Sequence, residues 1–313
     1  MTDLNLVERA TAVGFALGWH AGRVFDTQPA RVLFDLVSDI GWRRGGTGTA
    51  RLRANLRRVV GPDRSDSDLD ALTRRGLRSY ARYFREVFWM PTARPGVVAG
   101  RTRMYGAENV EAARREGRGV ICALPHTGNW DAAAVAYLAR FGPPMTVVAE
   151  RLRPESLYRR FQSYRESLGM NVVPLTGGGR PSASVLAASL RAGGTVCLVC
   201  DRDLSSSGVP VSFFGQVITV PPGPALLAFQ TGAALIPTLP GFYGDDWSLK
   251  LLPEVHVGGP GAPKRLRNKV TQAMQKVVDQ FAAEIAETPE DWHMVQRLWR
   301  EDLEPAATES LPR

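Results

Sequence analysis

The sequence predicts an α/β fold: a mainly parallel sheet flanked by helices, with an amino-terminal helical segment. Three observations carry this. Helical periodicity fills residues 1–95 wherever a pattern is readable. From about Arg118, short β-branched runs alternate with amphipathic segments. The links between them are short, and strand–helix alternation on short links builds a parallel sheet with helices on both faces.

In the helical segment, "TARLRANLRRVVG" places Leu52, Leu56, Val59 and Val60 on one helical face, and Gly61-Pro62 stops it. "SDSDLDALTRRGLRSYARYFREVFWM" opens on Ser and Asp, suited to an N-cap and first turn, and makes an apolar face of Leu69, Leu72, Tyr80, Phe84 and Val87. Arg74, Arg78, Arg82 and Arg85 line another face, which is either a solvated surface or a contact for anionic headgroups.

In the alternating region, "GVICAL", "MTVVAE", "NVVP" and "TVCLVC" read as strands, and 131–141, 155–168 and 182–191 as the helices between them. "VSFFGQVITV" reads as a hairpin turning on Gly215-Gln216. "PPGPALLAFQTG" is a helix with proline near its start and Gly232 at its end. "ALIPTL" and "SLKLLP" are further strands. A helix over 265–287 closes the core through Leu266, Val270, Met274, Val277, Phe281 and Ile285. The expected organisation is one domain: a membrane-facing helical segment over residues 1–95, an α/β core over 96–303 and a flexible tail over 304–313.

Composition narrows the function. The 313 residues are 44% hydrophobic and 22% charged, and carry a net charge of +8. The pI of about 9.8 favours a polyanionic partner such as phosphate-bearing ligands or acidic lipid. The lysines are Lys250, Lys264, Lys269 and Lys276; all other cations are arginine, which grips phosphate bidentately and is also what a GC-rich genome encodes. No stretch reaches the ~18–20 apolar residues of a membrane span, and "ATAVGFALGW" lacks the flanks of a signal peptide. A cytosolic protein, free or bound to a membrane surface, is expected. No nucleic-acid motif is present. Cys197 and Cys200 form a C-x-x-C, but on a strand they face opposite ways and lack a second Cys/His pair, so a zinc site is not expected. "TGGGRPS" fits neither glycine-rich phosphate-loop pattern and reads as a turn or a backbone nest.

The chemistry concentrates at "LPHTGNWDAAAV". His126 falls just past the carboxyl end of the first core strand, the edge at which open α/β sheets bind ligands. Asp131 lies at the start of the next helix. An imidazole titrates near ~6.5 and can take a proton from a hydroxyl at neutral pH; a carboxylate can orient it. No G-x-S-x-G supplies a protein nucleophile, so the nucleophile is the substrate's own hydroxyl, as in acyl transfer from a thioester to an alcohol. A structural hydrogen bond between His126 and Asp131 is the plainer alternative. His20, His256 and His293 have no readable carboxylate partner and count as packing or surface residues. Phe213 and Phe214 read as hairpin packing, and Trp19, Trp42, Trp89 and Trp299 as core or interfacial residues.

"HTGNWD" resembles the H-x4-D motif of glycerolipid and lipid A acyltransferases, in the H-x-G-N-W-[DE] form of the lipid A late-acyltransferase family. "VVAERLRPESLYRRFQSYRESLGMNVVP", "LVCDRDLSSSGVPVSFFGQVITVPPGPALLAFQTGAALIP" and "EIAETPEDWHMVQRLW" are similar to that family's later segments, so the resemblance spans Gly119 to Trp299. "ARVLFDLVSDIGWRRGGTGTARLRANLRRVVG" and "YFREVFWMPT" resemble the actinobacterial branch, whose members acylate phosphatidylinositol mannosides. The lipid A enzymes usually carry an amino-terminal membrane span, which this chain does not show.

The resemblance implies that His126 deprotonates a sugar hydroxyl of a phosphatidylinositol mannoside or related glycolipid, that the oxygen attacks the thioester of a fatty acyl-CoA, and that Asp131 orients His126. It gives Glu150 and Arg165 the family's recurring acidic and basic positions. Arg165 would stabilise developing charge or grip donor phosphate, with Glu150 as a candidate partner. Asp201 would hydrogen-bond acceptor hydroxyls or position Arg202. Against these roles stands a buried set of ion pairs bracing strand ends. No cofactor or metal is implied beyond acyl-CoA as co-substrate, and the expected place is the cytoplasmic face of the plasma membrane, on an anionic surface. The alternatives are a glycolipid acyltransferase fed by acyl-carrier protein, and a non-catalytic basic membrane-binding protein.

Overall fold

The structure, a computed structural model, describes Gly14 and residues 22–94, 96–151, 154–177, 181–203 and 207–303. The apolar stretch 10–19 apart from Gly14, His20, residues 178–180 of the glycine run and the tail 304–313 lie outside the described residues.

Three helices come first: α1 (Gln28–Arg44), α2 (Thr47–Val60) and α3 (Asp66–Trp89). Helix α2 ends on Gly61, whose φ of +83° breaks the helical run, and Pro62 cannot resume it. Ser65 caps α3 by accepting the Asp68 N–H at 3.1 Å, an arrangement that stabilises by about 1 kcal/mol. Leu52 and Leu56 of α2 close on Leu69 and Leu72 of α3 as the periodicity requires, and all four are buried. At ~1.5–3 kcal/mol per buried leucine, this contact outweighs the cap in holding the two helices together. The second half of α3 joins the main body: Tyr83, Val87 and Trp89 pack with Leu157, Phe161, Tyr164 and Trp247.

The core is a seven-stranded sheet in the order β1-β9-β8-β2-β5-β3-β4. Its strands are β1 (Thr102–Tyr105), β2 (Val120–Leu124), β3 (Met145–Ala149), β4 (Asn171–Pro174), β5 (Thr195–Val199), β8 (Ala234–Tyr243) and β9 (Asp246–Leu251). All pairings are parallel except the β8–β9 hairpin. Strand β1 was not legible in "TRMY" because it is short and half exposed at the sheet's edge. The intervening helices are α4 (Ala107–Arg115), α5 (Trp130–Phe141), α6 (Glu155–Ser167), α7 (Ser182–Arg191) and α8 (Gly223–Thr231), followed by α9 (Leu266–Glu287). Alternation along β2 assigns the faces: Ile121 and Ala123 meet α7, α8 and α9, while Val120, Cys122 and Leu124 meet α4 and α5.

Two local expectations change. The hairpin β6 (Val209–Phe213) and β7 (Gln216–Val220) pairs Phe213 with Gln216, so its two loop residues are Phe214 and Gly215. Both have positive φ, +45° and +77°, the signature of a type I′ turn that matches strand twist. Leu266 is exposed at the start of α9, whereas Val270, Met274, Val277, Phe281 and Ile285 are buried as expected. The cysteines are unpaired thiols in or beside the sheet, and no metal-holding group of His, Cys, Asp or Glu occurs among the described residues.

The arginine row on α3 is not a free cationic face. Arg74 and Arg78 both turn their Nε and Nη edges onto Asp39 of α1, and these hydrogen bonds hold its carboxyl well below the usual range. Arg82 bonds Glu86 and the carbonyls of Gly244 and Asp246, and the buried Arg85 bonds the Phe25 carbonyl. The opposite side of α1 is where the surface is unusual. Val32, Leu33, Leu36, Val37 and Ile40 are 59, 55, 52, 59 and 39% exposed. No helix among the described residues is long and apolar enough to cross a membrane.

Candidate active site

Strand β2 ends at Leu124, whose carbonyl takes the Cys200 N–H at 2.8 Å. Pro125 has no N–H to extend the ladder, and the chain turns away. Leu124 pairs in register with Val199 of β5. His126 and Asp201 each stand two residues beyond that pair, and the period of two brings both side chains to the same side. The His126 main-chain N–H donates to Asp201 Oδ2 at 2.9 Å, and His126 Nδ1 lies 2.6 Å from Oδ1. Burial alone would raise the Asp201 pKa, but the charge and hydrogen bonds of His126, with the Trp292 indole, hold it lowered. An ionised carboxylate only accepts, so Nδ1 carries a hydrogen, and in the neutral form of the imidazole the lone pair lies on Nε2. The imidazole is 33% exposed while Asp201 is 1% exposed. No partner of Nε2 occurs among the described residues, so a basic nitrogen faces outward on a buried anion.

The aspartate on His126 is therefore Asp201, not the Asp131 that the H-x4-D spacing proposed. Asp131 sits in the first turn of α5 and is buried against other groups. Arg165 Nε donates to its Oδ1 at 2.9 Å, and Tyr83 O–H donates to Oδ2 at 3.1 Å. Burial disfavours the Arg165 cation, but the adjoining Asp131 charge more than offsets this and keeps its pKa raised. The same burial and the same aspartate push Tyr83 well above its ordinary value, so its hydroxyl stays a donor. Arg165 thus pairs with Asp131 rather than Glu150, which is exposed past the end of β3. Arg202 reaches Gln296 Oε1 at 3.0 Å.

The turn of the motif depends on Gly128. Its φ is +53°, and a Cβ there would stand 2.6 Å from the Gly241 Cα of β8. Asn129 then caps α5 by accepting the Ala132 N–H at 2.9 Å, while its amide donates to Glu86 Oε2 at 2.7 Å.

A second segment, 291–293, closes over the loop. Thr127 and Trp292 form an antiparallel bridge. The His293 N–H donates to the His126 carbonyl at 2.8 Å and the Gly128 N–H to the Asp291 carbonyl at 2.9 Å. Trp292 Nε1 donates to Asp201 Oδ2 at 3.0 Å, so this segment touches both members of the pair. His293 is buried rather than on the surface; burial pushes its pKa down to about 3 and that of Asp291 up to about 6. Trp299 is also buried, its indole bonded to Asn55, which makes it a core residue. Glu86 and Tyr83 were missed in the sequence because their partners lie far along the chain, and Trp292, inside the closing segment of the resemblance, was given no role for the same reason. The "DWH" that follows "PE" was the available signal for Trp292.

Comparison with known proteins gives the family. The bacterial lipid A biosynthesis acyltransferase family matches residues 6–301. A phosphatidylinositol mannoside acyltransferase of Mycolicibacterium smegmatis is 44% identical over 295 residues, covering 94% of this chain and 93% of that protein. One of Mycobacterium tuberculosis is 42% identical over 301 residues, covering 96% and 92%. The fold is a mainly parallel α/β sheet, and its candidate site is a histidine on a buried carboxylate at the carboxyl rim. The chain belongs to the bacterial lipid A biosynthesis acyltransferase family. It is an acyltransferase.

Proposed function

We propose that this acyltransferase moves a fatty acyl chain from acyl-CoA to a sugar hydroxyl of a phosphatidylinositol mannoside at an anionic membrane surface, with His126 as the general base. The acceptor follows from the names of relatives that share 42–44% of their residues over nearly the whole chain. The single observation that carries the mechanism is the Nε2, without a partner among the described residues, of a partly exposed imidazole held by a buried Asp201.

The proton of the sugar hydroxyl passes to Nε2 as the oxygen attacks the thioester carbonyl carbon. Asp201 stabilises the imidazolium that forms. The tetrahedral species collapses with cleavage of the carbon–sulfur bond, and the imidazolium returns its proton to the departing thiolate. The ester and free CoA leave, and His126 is neutral again. Asp131 and Arg165 tie the start of α5 to the end of α6 beside this centre, while Glu150 and Arg202, past the ends of β3 and β5, remain candidates for substrate binding. No cofactor enters these steps.

The exposed apolar row of α1 supports the membrane assignment better than the paired arginines do. Five large aliphatic side chains on one helical face, ending in Arg43 and Arg44, fit the boundary between headgroups and acyl chains.

The experiment is transfer of radiolabelled acyl groups from acyl-CoA and from acyl-carrier protein to a panel of phosphatidylinositol mannosides, phosphatidylinositol and lipid A precursors. Label in the mannoside product from acyl-CoA is expected. Label only from acyl-carrier protein, or only in a lipid A precursor, overturns the donor or the acceptor assignment.

A further inference from the structure

Helix α3 carries Ser79, Tyr83 and Glu86 at positions i, i+4 and i+7, which places them in one row along the helix. Each reaches a different part of the His126 loop. Glu86 Oε2 accepts from the Asn129 amide at 2.7 Å, at the cap of α5. Tyr83 O–H donates to Asp131 at 3.1 Å, in the next turn. Ser79 O–H donates to Asp291 Oδ1 at 2.8 Å and lies 2.9 Å from His293 Nε2. The main chains of those last two residues hold His126 O and Gly128 N–H. The row thus brackets His126 from both sides, through 291–293 before it and through the start of α5 after it.

A helix seeking only burial does not need this row. Each buried polar group costs about 1–3 kcal/mol unless it is bonded; Leu69, Leu72, Val87, Phe88 and Trp89 fill other packed positions of α3, while the buried Thr73 and Arg85 bond main-chain carbonyls away from the His126 loop. The polar row faces the loop. Glu86 is further fixed by Arg82 Nε at 2.6 Å and Trp247 Nε1 at 2.7 Å. Tyr83 packs against Trp130, ring centres 4.1 Å apart and planes tilted by 34°.

We propose that Ser79, Tyr83 and Glu86 are positioning residues for His126, so that the amino-terminal helical segment is a working part of the active site. This rests on His126 being the base.

The test is kcat and KM of the full chain with acyl-CoA and a phosphatidylinositol mannoside for Tyr83→Phe, Ser79→Ala and Ser79→Thr, beside His126→Ala. Tyr83→Phe keeps the ring packed on Trp130 and loses only the hydroxyl. For Tyr83→Phe and Ser79→Ala, kcat is expected to fall roughly 10-fold or more, with KM for both substrates within about twofold; this is the cost of slight misplacement of a reacting group. Ser79→Thr, which keeps the hydroxyl, is expected to recover most of the loss. Glu86→Gln turns an amide N–H2 onto existing donors and is expected to be worse than either. Wild-type kcat in Tyr83→Phe and Ser79→Ala overturns the proposal. So does a loss that only tracks the folded fraction in near-ultraviolet circular dichroism, or a Ser79→Thr as impaired as Ser79→Ala. An active His126→Ala overturns the base assignment instead, so the two failures are distinct.

Discussion

His126 and Asp201 lie two residues past the same register pair on adjacent parallel strands, with Nδ1 2.6 Å from Oδ1. The sheet itself therefore makes this contact, and Asp131 takes no part in it. Asp201→Asn keeps the shape and places an uncharged amide against the ring, removing the anion that stabilises an imidazolium. Its kcat is expected to fall on the order of 10²–10⁴-fold with KM nearly unchanged. Steady-state kinetics beside Asp131→Asn check this: the Asp201 variant should be the slower per folded molecule, and equal or reversed effects would return Asp131 to the dyad.

Asp131→Ala should act chiefly on stability. It leaves the Arg165 guanidinium largely buried without its partner, a loss of about 3–5 kcal/mol. Urea unfolding measures it. The double variant with Arg165→Met should regain part of the loss, because the stranded charge is gone. No recovery would mean that Asp131 contributes by some means other than pairing.

The buried Asp291 and His293 oppose one another in pH dependence. Folded Asp291 keeps its proton up to about pH 6 against 3.8 when unfolded, so its stabilising share is greatest in acid and is lost as pH rises through that window. Folded His293 protonates only near pH 3 against 6.5, so its share is full above pH 6.5 and is lost as pH falls. Between about pH 4 and 6 the two slopes offset each other. Asp291→Asn leaves His293 alone, and its stability should fall more steeply with acid than that of the parent, by about 1.4 kcal/mol per pH unit. Urea titrations across that range decide it, and parallel curves would contradict the assignment.

Replacing Leu33 and Val37 together by aspartate should abolish most binding to acidic liposomes in a flotation assay while leaving the melting temperature within a few degrees. These side chains are more than half exposed, so the folded state loses little packing. Arg74→Gln/Arg78→Gln should instead lower stability, since both cations hold Asp39 of α1 to α3. Undiminished flotation of the aspartate variant would remove α1 from the membrane contact.

Much of the core was legible because its signals are local. Period-two β-branched runs, the Ser65 cap, Gly61-Pro62 and the faces of α3 and α9 all depend on residues a few positions apart. His126 was legible for the same reason, standing at a strand's end in a short motif. Its carboxylate was not, because Asp201 becomes a neighbour only when β5 lies beside β2, and strand order is a property of the sheet rather than of any window of sequence. Spacing offered Asp131 instead, five residues away. The arginine row misled in the same way: its periodicity is real, but Asp39 and the carbonyls that take much of its charge come from other elements, and Glu86, one turn along α3, takes Arg82.

The most direct measurement is single-turnover transfer from radiolabelled acyl-CoA to a phosphatidylinositol mannoside by purified His126→Ala. Its circular dichroism and liposome flotation should match the parent, since the side chain is a third exposed and the Asp201 it leaves still accepts from the main-chain N–H of residue 126 and the Trp292 indole. Transfer is expected to drop by at least roughly 10³-fold. A rate within about tenfold of the parent, the scale that misplacement alone can produce, would show that the hydroxyl proton leaves by another route.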